Sequence, residues 1–451
     1  MAAMPERQLN LTLDFCLRVG ELLLSSGAGA ADVIATMKSL AWHLGVRNPE
    51  IDITFTSLSM SYQRDPEEPA AVLLRHVKQR DIDYEDLTLV DHLVRDVLRG
   101  EVDLKEARSR LARIVSSGHL TPRWAVTLGW GLMCAGVGLQ LGGGPAVVAV
   151  AFVAAACIDR LQLVMARRRL PFFYQQVAGG GVATIIAVAA AAAMPDLDPS
   201  VAVTANIIML LAGIGFMGAL QDALSGFYVT AGARLTEALL ATAGIIAGVS
   251  GGLTLADVLG VDVGRLNPGA AEGLKAVSLM ALGAAICGAS FAFASYAPRR
   301  SLLPVGAVSA AAMVIAQTGS IGDVGRTWPT ALAAFFVGVV SYTVAGRLRV
   351  PPLVVVVPAI VPLLPGLSIY RGLSLLTEGG AQTSEGLLAI ITAASVAIAL
   401  ASGVILGEFV AQPLKREAHR LESRLAGPRL VGPLRTRTSR RARREERGQD
   451  A

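Results

Sequence analysis

Hydrophobic and polar positions follow two different rules along this chain, and the rules change near residue 121. Before that point apolar residues recur every three or four positions. LTLDFCLRVGELLLSSG places Leu13, Leu17 and Leu24 on one helical face, and AADVIATMKSLAWHLG repeats the pattern after Gly27 and Gly29. Two short amphipathic helices are therefore predicted in succession. The stretch 51–62, IDITFTSLSMSY, alternates in part and is rich in Thr, Ile and Phe, which predicts a strand. After Pro66 and Pro69, the segments AVLLRHVKQR, YEDLTLVDHLVRDVLRG and DLKEARSRLARIVSSG read as further helices with charged outer faces. Residues 1–120 thus predict a small soluble α+β domain.

From Trp124 onward the polar side of the pattern disappears. Apolar runs long enough to cross a hydrocarbon core of about 30 Å follow one another. They lie near 123–141, 145–165, 173–194, 201–220, 235–251, 274–296, 302–317, 328–346, 353–370 and 387–410. This predicts an α-helical polytopic membrane protein of about ten transmembrane helices. Two halves of five helices, 121–251 and 252–411, precede a basic tail over 412–451, read as disordered.

Composition agrees with lipid as the solvent. Hydrophobic residues make up 53% of the chain, charged residues 17%, and mean hydropathy is +0.54, outside the range of an ordinary soluble enzyme. The 47 glycines suit helices that approach closely in a bilayer. The tail carries twelve Lys/Arg against five Asp/Glu. Beside a membrane helix, such a tail points to an anionic cytoplasmic leaflet, and no nucleic-acid recognition motif accompanies it. Cys16, Cys134, Cys157 and Cys287 stand singly, without metal-ligand spacing. No metal or cofactor is expected. The N-terminus opens polar, with no uninterrupted hydrophobic signal core.

Arginine placement tests the count of spans. Alternate loops hold Arg167, Arg168 and Arg169, then Arg234, then Arg299 and Arg300, then Arg347 and Arg349, while the intervening loops are Gly-rich or acidic. The positive-inside rule then places both termini in the cytoplasm. Because five helices per half is odd, a duplicated half would be inverted. A trace of such a repeat exists: GIGFMGALQDALSG, Gly213–Gly226, matches GLSIYRGLSLLTEG, Gly366–Gly379, in length and in its bounding glycines.

Those two segments hold most of the unusual chemistry. PAIVPLLPG packs Pro358, Pro362, Pro365 and Gly366 into one apolar run, so the ninth span must break or kink. Broken membrane helices are tolerated where protein or a water-filled cavity meets the freed backbone. In the fourth span Asp222 stands with no basic residue one turn away, while Arg234 and Glu237 are three apart and suited to pairing on one helix face. Ionisable groups at membrane depth mark a pathway, a relay or an ion pair that fixes helix depth. Candidate pathway residues are Gly213, Asp222, Gly226, Arg234, Glu237, Pro362, Pro365, Gly366, Tyr370 and Arg371. Asp222 is assigned to proton coupling or amine binding, and Tyr370 to a hydroxyl contact. Asp159 beside Arg160, and Glu408, read as structural charges near helix ends.

Taken together, the residues resemble the threonine/serine exporter family from about residue 10 to residue 411. Four segments carry the resemblance: LRVGELLLSSGAGAADVIATMKSLAWHLGV, IDYEDLTLVDHLVRDVLRGEVDLKEARSRL, ALQDALSGFYVTAGARLTEALL and VPAIVPLLPGLSIYRGL. The resemblance implies a cytoplasmic N-terminal domain fused to ten helices in a bacterial cytoplasmic membrane. It also implies export of threonine, serine or a similar small amino acid, driven by the proton motive force. Two-component relatives linked to small dicarboxylates, and a passive small-solute channel, are the alternatives. Members often have Pro-Gly where Ala212-Gly213 stands here, which predicts a softer first break. The oligomeric state is open, a homo-oligomer included. In the N-terminal domain Ser25, Ser26, His43, Asp52, His76 and His92 are types that a hydrolase uses, but no GxSxG or HExxH motif organises them, so no enzyme is expected.

Overall fold

The computed structural model of the protein describes residues 5–77, 81–194, 197–258, 274–318, 327–378 and 382–422. The N-terminal part contains α1 (Glu6–Ser25), α2 (Ala30–His43), β1 (Glu50–Thr54), β2 (Ser57–Tyr62), β3 (Ala71–His76), α3 (Tyr84–Leu98) and α4 (Leu104–Ser117). The α1 helix buries Leu9, Leu13, Phe15, Leu17 and Leu24, the stripe its periodicity demands. Asp83 caps α3 by accepting the N–H groups of Glu85 and Asp86, and Asp103 caps α4 by accepting that of Glu106.

Two expectations are corrected here. Residues 51–62 form a hairpin of two strands, not one, with Thr54 paired to Ser57 across a tight turn. AVLLRHVKQR, read as a helix, supplies β3, which pairs antiparallel with β2 from Tyr62↔Ala71 to Ser57↔His76; residues 78–80 lie outside the described residues. Helix-favouring Leu and Arg yield because strand preference is set by what the strand packs on. Here Arg75 reaches from β3 to Asp14 and Glu21 on α1, at 3.1 and 2.7 Å.

The remaining described elements are helices: α5 (Arg123–Gln140), α6 (Pro145–Arg167), α7 (Phe172–Ala193), α8 (Pro199–Ile207), α9 (Gly213–Leu224), α10 (Tyr228–Val258), α11 (Leu274–Ala294), α12 (Arg299–Thr318), α13 (Thr327–Leu348), α14 (Leu353–Ile360), α15 (Gly366–Glu378) and α16 (Thr383–Glu422). Among the described residues seven helices are long and apolar enough to cross a membrane, and nine when each of the bent pairs α8–α9 and α14–α15 counts as one span. The α5 helix, bounded by Arg123 and Gln140, is not among them. Leu240, Leu282, Leu303, Leu332, Leu388 and Leu406 are exposed on the helix exteriors, a surface suited to lipid and not to water. The α16 helix runs past residue 411 to Glu422, and residues 423–451 lie outside the described residues.

Glycine sets the helix crossings. A Cβ on Gly136 of α5 would lie 2.8 Å from the carbonyl oxygen of Gly283 on α11, and one on Gly283 would lie 2.5 Å from that of Gly136. The crossing is reciprocal and has no room for a side chain. The same device joins α7 to α10, where Gly180 meets the Ile245 carbonyl, and α13 to α16, where Gly338 meets the Val404 carbonyl. Asp159, read as a structural charge, ties α6 to α5 by accepting from Arg123 at 2.6 Å and Thr127 at 2.7 Å.

The N-terminal part sits on one end of the bundle. Tyr84 N–H donates to Ser295 O at 2.9 Å, Thr230 Oγ1 donates to Ile53 O at 3.4 Å, and His92 Nε2 lies 2.9 Å from Arg349 O. His119, after α4, stacks on Tyr296 beyond α11 with ring centroids 3.8 Å apart. At the α5–α11 crossing, Gly283→Val is expected to cost about 1–3 kcal/mol through overpacking, read as a lower thermal-unfolding midpoint in detergent. An unchanged midpoint would contradict the contact.

Candidate functional site

Two broken spans meet in the bundle. After α8 a 3-10 turn, Ile208–Leu210, leads to Leu211 in extended conformation, and α9 then restarts at a bend of 47°. After α14 a second 3-10 turn, Val361–Leu363, leads to extended Leu364, and α15 restarts at a bend of 44°. Pro365 dictates the second break, since a residue before proline is driven out of the helical region. The first break is equally sharp without a proline, so the expectation of a softer one is corrected. Tertiary packing supplies the reason. A Cβ on Gly213 would lie 3.0 Å from Leu364 Cβ, and one on Gly366 would lie 3.0 Å from Leu211 Cβ and 3.5 Å from the Gly213 nitrogen. Each break is seated against the other, and the amino ends of α9 and α15 face one junction, where their dipoles favour negative charge.

Side chains brace both broken spans, and one of them reaches the freed backbone of the second. Gln140 Nε2 donates to Pro362 O at 3.1 Å, and Asn206, fully buried in α8, donates to Ala183 O of α7 at 2.9 Å. Tyr370, one turn into α15, is buried in an apolar cluster with Ile207 and Leu210 of the first broken span and Ile245 of α10. Of the sequence candidates, Gly213, Pro362, Pro365, Gly366 and Tyr370 thus gather at or beside the paired breaks.

Asp222 does not. It lies nine residues into α9, about 13 Å along the axis from Gly213 at 1.5 Å per residue, at the end facing the N-terminal part. Its side chain is buried, and its carboxylate accepts the Ala30 N–H, which opens α2, at 3.3 Å. Its basic partner comes from the next helix: Arg234 Nη1 lies 2.8 Å from Asp222 Oδ2. The expected pairing of Arg234 with Glu237 is therefore replaced by one with Asp222, and Glu237 is exposed. Gly218, one turn before Asp222, leaves room for the guanidinium, because a Cβ there would lie 2.9 Å from Arg234 Nη1. Gly226 plays a local part. With φ +90° it ends α9 in a Schellman motif, with Gly226 N–H donating to Ala223 O and Phe227 N–H to Asp222 O. Arg371 is exposed on α15.

Asp32, which no sequence motif singles out, and Glu408, expected as a structural charge, complete the picture. Asp32, in the first turn of α2, opens onto a cleft between the N-terminal part and the bundle, and Glu408 of α16 lines the same cleft. The Asp32 residue keeps solvent contact, but the protein packed around its carboxyl partly desolvates it and pushes it up to about 6, and the charge of Asp222 adds to the effect. No motif announces Asp32, since its neighbours are brought to it by the fold. The hydrolase-type residues are not gathered into a catalytic group: Ser25 donates to Leu22 O, His92 meets Arg349 O, and His43 and His76 are exposed.

The raised carboxyl makes a pH prediction. An unfolded Asp titrates near 3.9, so between about pH 4 and pH 6 the unfolded chain has released a proton that Asp32 still holds. Its contribution to stability therefore falls as pH rises through that window. Asp32→Asn should match wild type in thermal unfolding near pH 4 and become relatively more stable up to pH 6, with a constant margin above. A margin that does not vary with pH would refute the assignment.

Known proteins align with this arrangement along nearly its whole length. Residues 14–256 match the family described as "Putative threonine/serine exporter", and residues 280–410 match "Threonine/Serine exporter, ThrE". A probable threonine/serine exporter of Mycobacterium tuberculosis is 36% identical over 424 residues, covering 92% of this chain and 80% of that protein. The threonine/serine exporter of Corynebacterium glutamicum is 32% identical over 411 residues, covering 90% and 83%. A probable succinate transporter subunit, YjjP, of Escherichia coli is 25% identical over 253 residues, covering 56% of this chain and 97% of that protein. No solved structure matches. Both family matches and the two long alignments agree: the chain belongs to the threonine/serine exporter family.

Proposed function

We propose that the protein is a secondary-active exporter of threonine, serine or a similar small amino acid in the bacterial cytoplasmic membrane, driven by the proton motive force. The observation that carries this reading is the mutual seating of Gly213 against Leu364 and of Gly366 against Leu211. Two broken spans that meet at their breaks bring exposed backbone and converging helix dipoles to one point. A zwitterionic amino acid can be held there without a dedicated charged side chain.

The proposed architecture is ten crossings in a 5+5 inverted repeat, with residues 1–120, 121–251, 252–411 and 412–451 as the successive parts. Several features support it. The crossing of α5 with α11 is reciprocal, α7 packs on α10 as α13 packs on α16, and each bent pair is the fourth element of its half. In this reading α5 is the first crossing despite its modest apolarity. The ends that meet the N-terminal part also carry Arg234 and Arg349, which supports a cytoplasmic position for that part and for both termini. Anionic lipid would then face the basic tail.

Proton coupling is assigned to Asp222. A proton on its carboxylate removes the ion pair with Arg234 and weakens acceptance from Ala30, so protonation and the grip on α2 are linked. The naming of the Escherichia coli relative makes a small dicarboxylate the second substrate class to test.

Purified protein in vesicles preloaded with labelled threonine or succinate provides the test. Threonine efflux should depend on an imposed proton gradient and collapse with an uncoupler. Asp222→Asn should slow it at least about tenfold, equivalent to roughly 1.4 kcal/mol of barrier. Efflux insensitive to the uncoupler would identify a passive channel, and transport of succinate alone would move the protein to the dicarboxylate class.

A further inference from the structure

The cleft beside Asp222 has the makings of a binding site. It is a cavity of about 100 Å³ between the N-terminal part and α13, α14 and α16, with leucine and valine walls and with Asp32, Asp91, Arg95, Tyr342 and Glu408 on its lining. About 10–15 Å³ of such space holds one water, so the cavity has room for a small solute. Both contributors are needed to form it. Asp32, Asp91 and Arg95 come from α2 and α3, while Tyr342 and Glu408 come from α13 and α16.

The polar groups are of both signs and unevenly satisfied. Arg95 pairs with Asp91 through Nη2, yet its Nε–H is buried and has no hydrogen-bond partner among the described residues. A buried donor of this kind costs free energy until an acceptor arrives. Asp32 and Glu408 interact as like charges, and neither has an ion-pair partner among the described residues. Two carboxylates facing each other across a cavity favour a cation between them. A carboxylate for Arg95 and an ammonium group for Asp32 and Glu408 are together the headgroup of one α-amino acid. A dianionic dicarboxylate would satisfy Arg95 but would meet two uncompensated acids.

We propose that this cavity is the cytoplasmic loading site for the transported solute, shared between the N-terminal part and the helix bundle, and that it selects small α-amino acids over dicarboxylates. The proposal rests on the exporter reading above. The N-terminal part thereby becomes a component of the solute pathway: the solute is held at Asp32, Glu408 and Arg95 before it reaches the paired breaks.

The test uses the full chain in vesicles oriented so that the loading face is accessible. Because Cys16, Cys134 and Cys287 are buried and Cys157 is exposed, a cysteine is placed at Thr36, on the cavity lining but outside the proposed ligands, in a Cys157→Ser background, and its rate of modification by a cationic thiol reagent is followed. Threonine should slow the reaction several-fold and succinate should leave it unchanged. In parallel, Asp32→Asn and Glu408→Gln should each raise the efflux KM for threonine about tenfold, the scale of one lost charged hydrogen bond, with Asp32→Glu restoring it. If wild type exports threonine while threonine leaves the labelling rate unaltered and both variants keep the wild-type KM, the loading site is refuted and the exporter reading stands. If wild type carries no threonine, the exporter reading fails and the loading site with it. Protection by succinate equal to that by threonine overturns the selectivity.

Discussion

A helix interrupted inside a bilayer leaves amide and carbonyl groups that lipid cannot satisfy, and the arrangement of this bundle follows from how those groups are covered. Each broken span supplies the cover for the other. Gly213 and Gly366 have no side chains, so Leu364 and Leu211 can sit directly against the opposing restart. Gln140, at the end of α5, reaches a carbonyl of the second break. That reach depends in turn on the Gly136–Gly283 crossing, which brings α5 and α11 to backbone contact. Loss of any one of these close approaches would expose polar backbone to an apolar surrounding, which explains why glycine, not a larger small residue, stands at each.

Charge is distributed by the same logic. The paired breaks are nearly free of charged side chains, while Asp222, Arg234, Asp32, Asp91, Arg95 and Glu408 assemble at the face where the N-terminal part docks. Asp222 is the link between the two regions. It belongs to a helix that begins at one break, and its carboxylate accepts the first N–H of α2. A change in its charge is therefore felt on both sides of the interface, by Arg234 within the bundle and by Asp32 outside it.

Much of this was legible before any coordinates. Apolar run length located the apolar helices, although α10 and α16 extend well beyond the runs that announced them, and proline density marked the second break, because both are local properties of the chain. The failures are tertiary. Ala212-Gly213 carries no local signal for a bend as sharp as its partner's; packing against Leu364 imposes it. AVLLRHVKQR has helix-favouring residues and became β3 because β2 and α1 offered it partners. Arg234 was assigned to Glu237 by spacing within one helix, whereas Asp222 on the preceding helix claims it. Asp32 was passed over altogether, since a single acid in a first helical turn is ordinary until the fold places Asp222 and Glu408 near it.

Gly213 and Leu364 meet where the two broken spans are seated on each other, the junction proposed above as the solute's path. Cysteines at Gly213 and Leu364, in a background with the native cysteines replaced, test it directly. Oxidation should cross-link the pair and arrest threonine efflux from preloaded vesicles, and a reductant should restore it. Complete cross-linking with undiminished efflux would contradict the account.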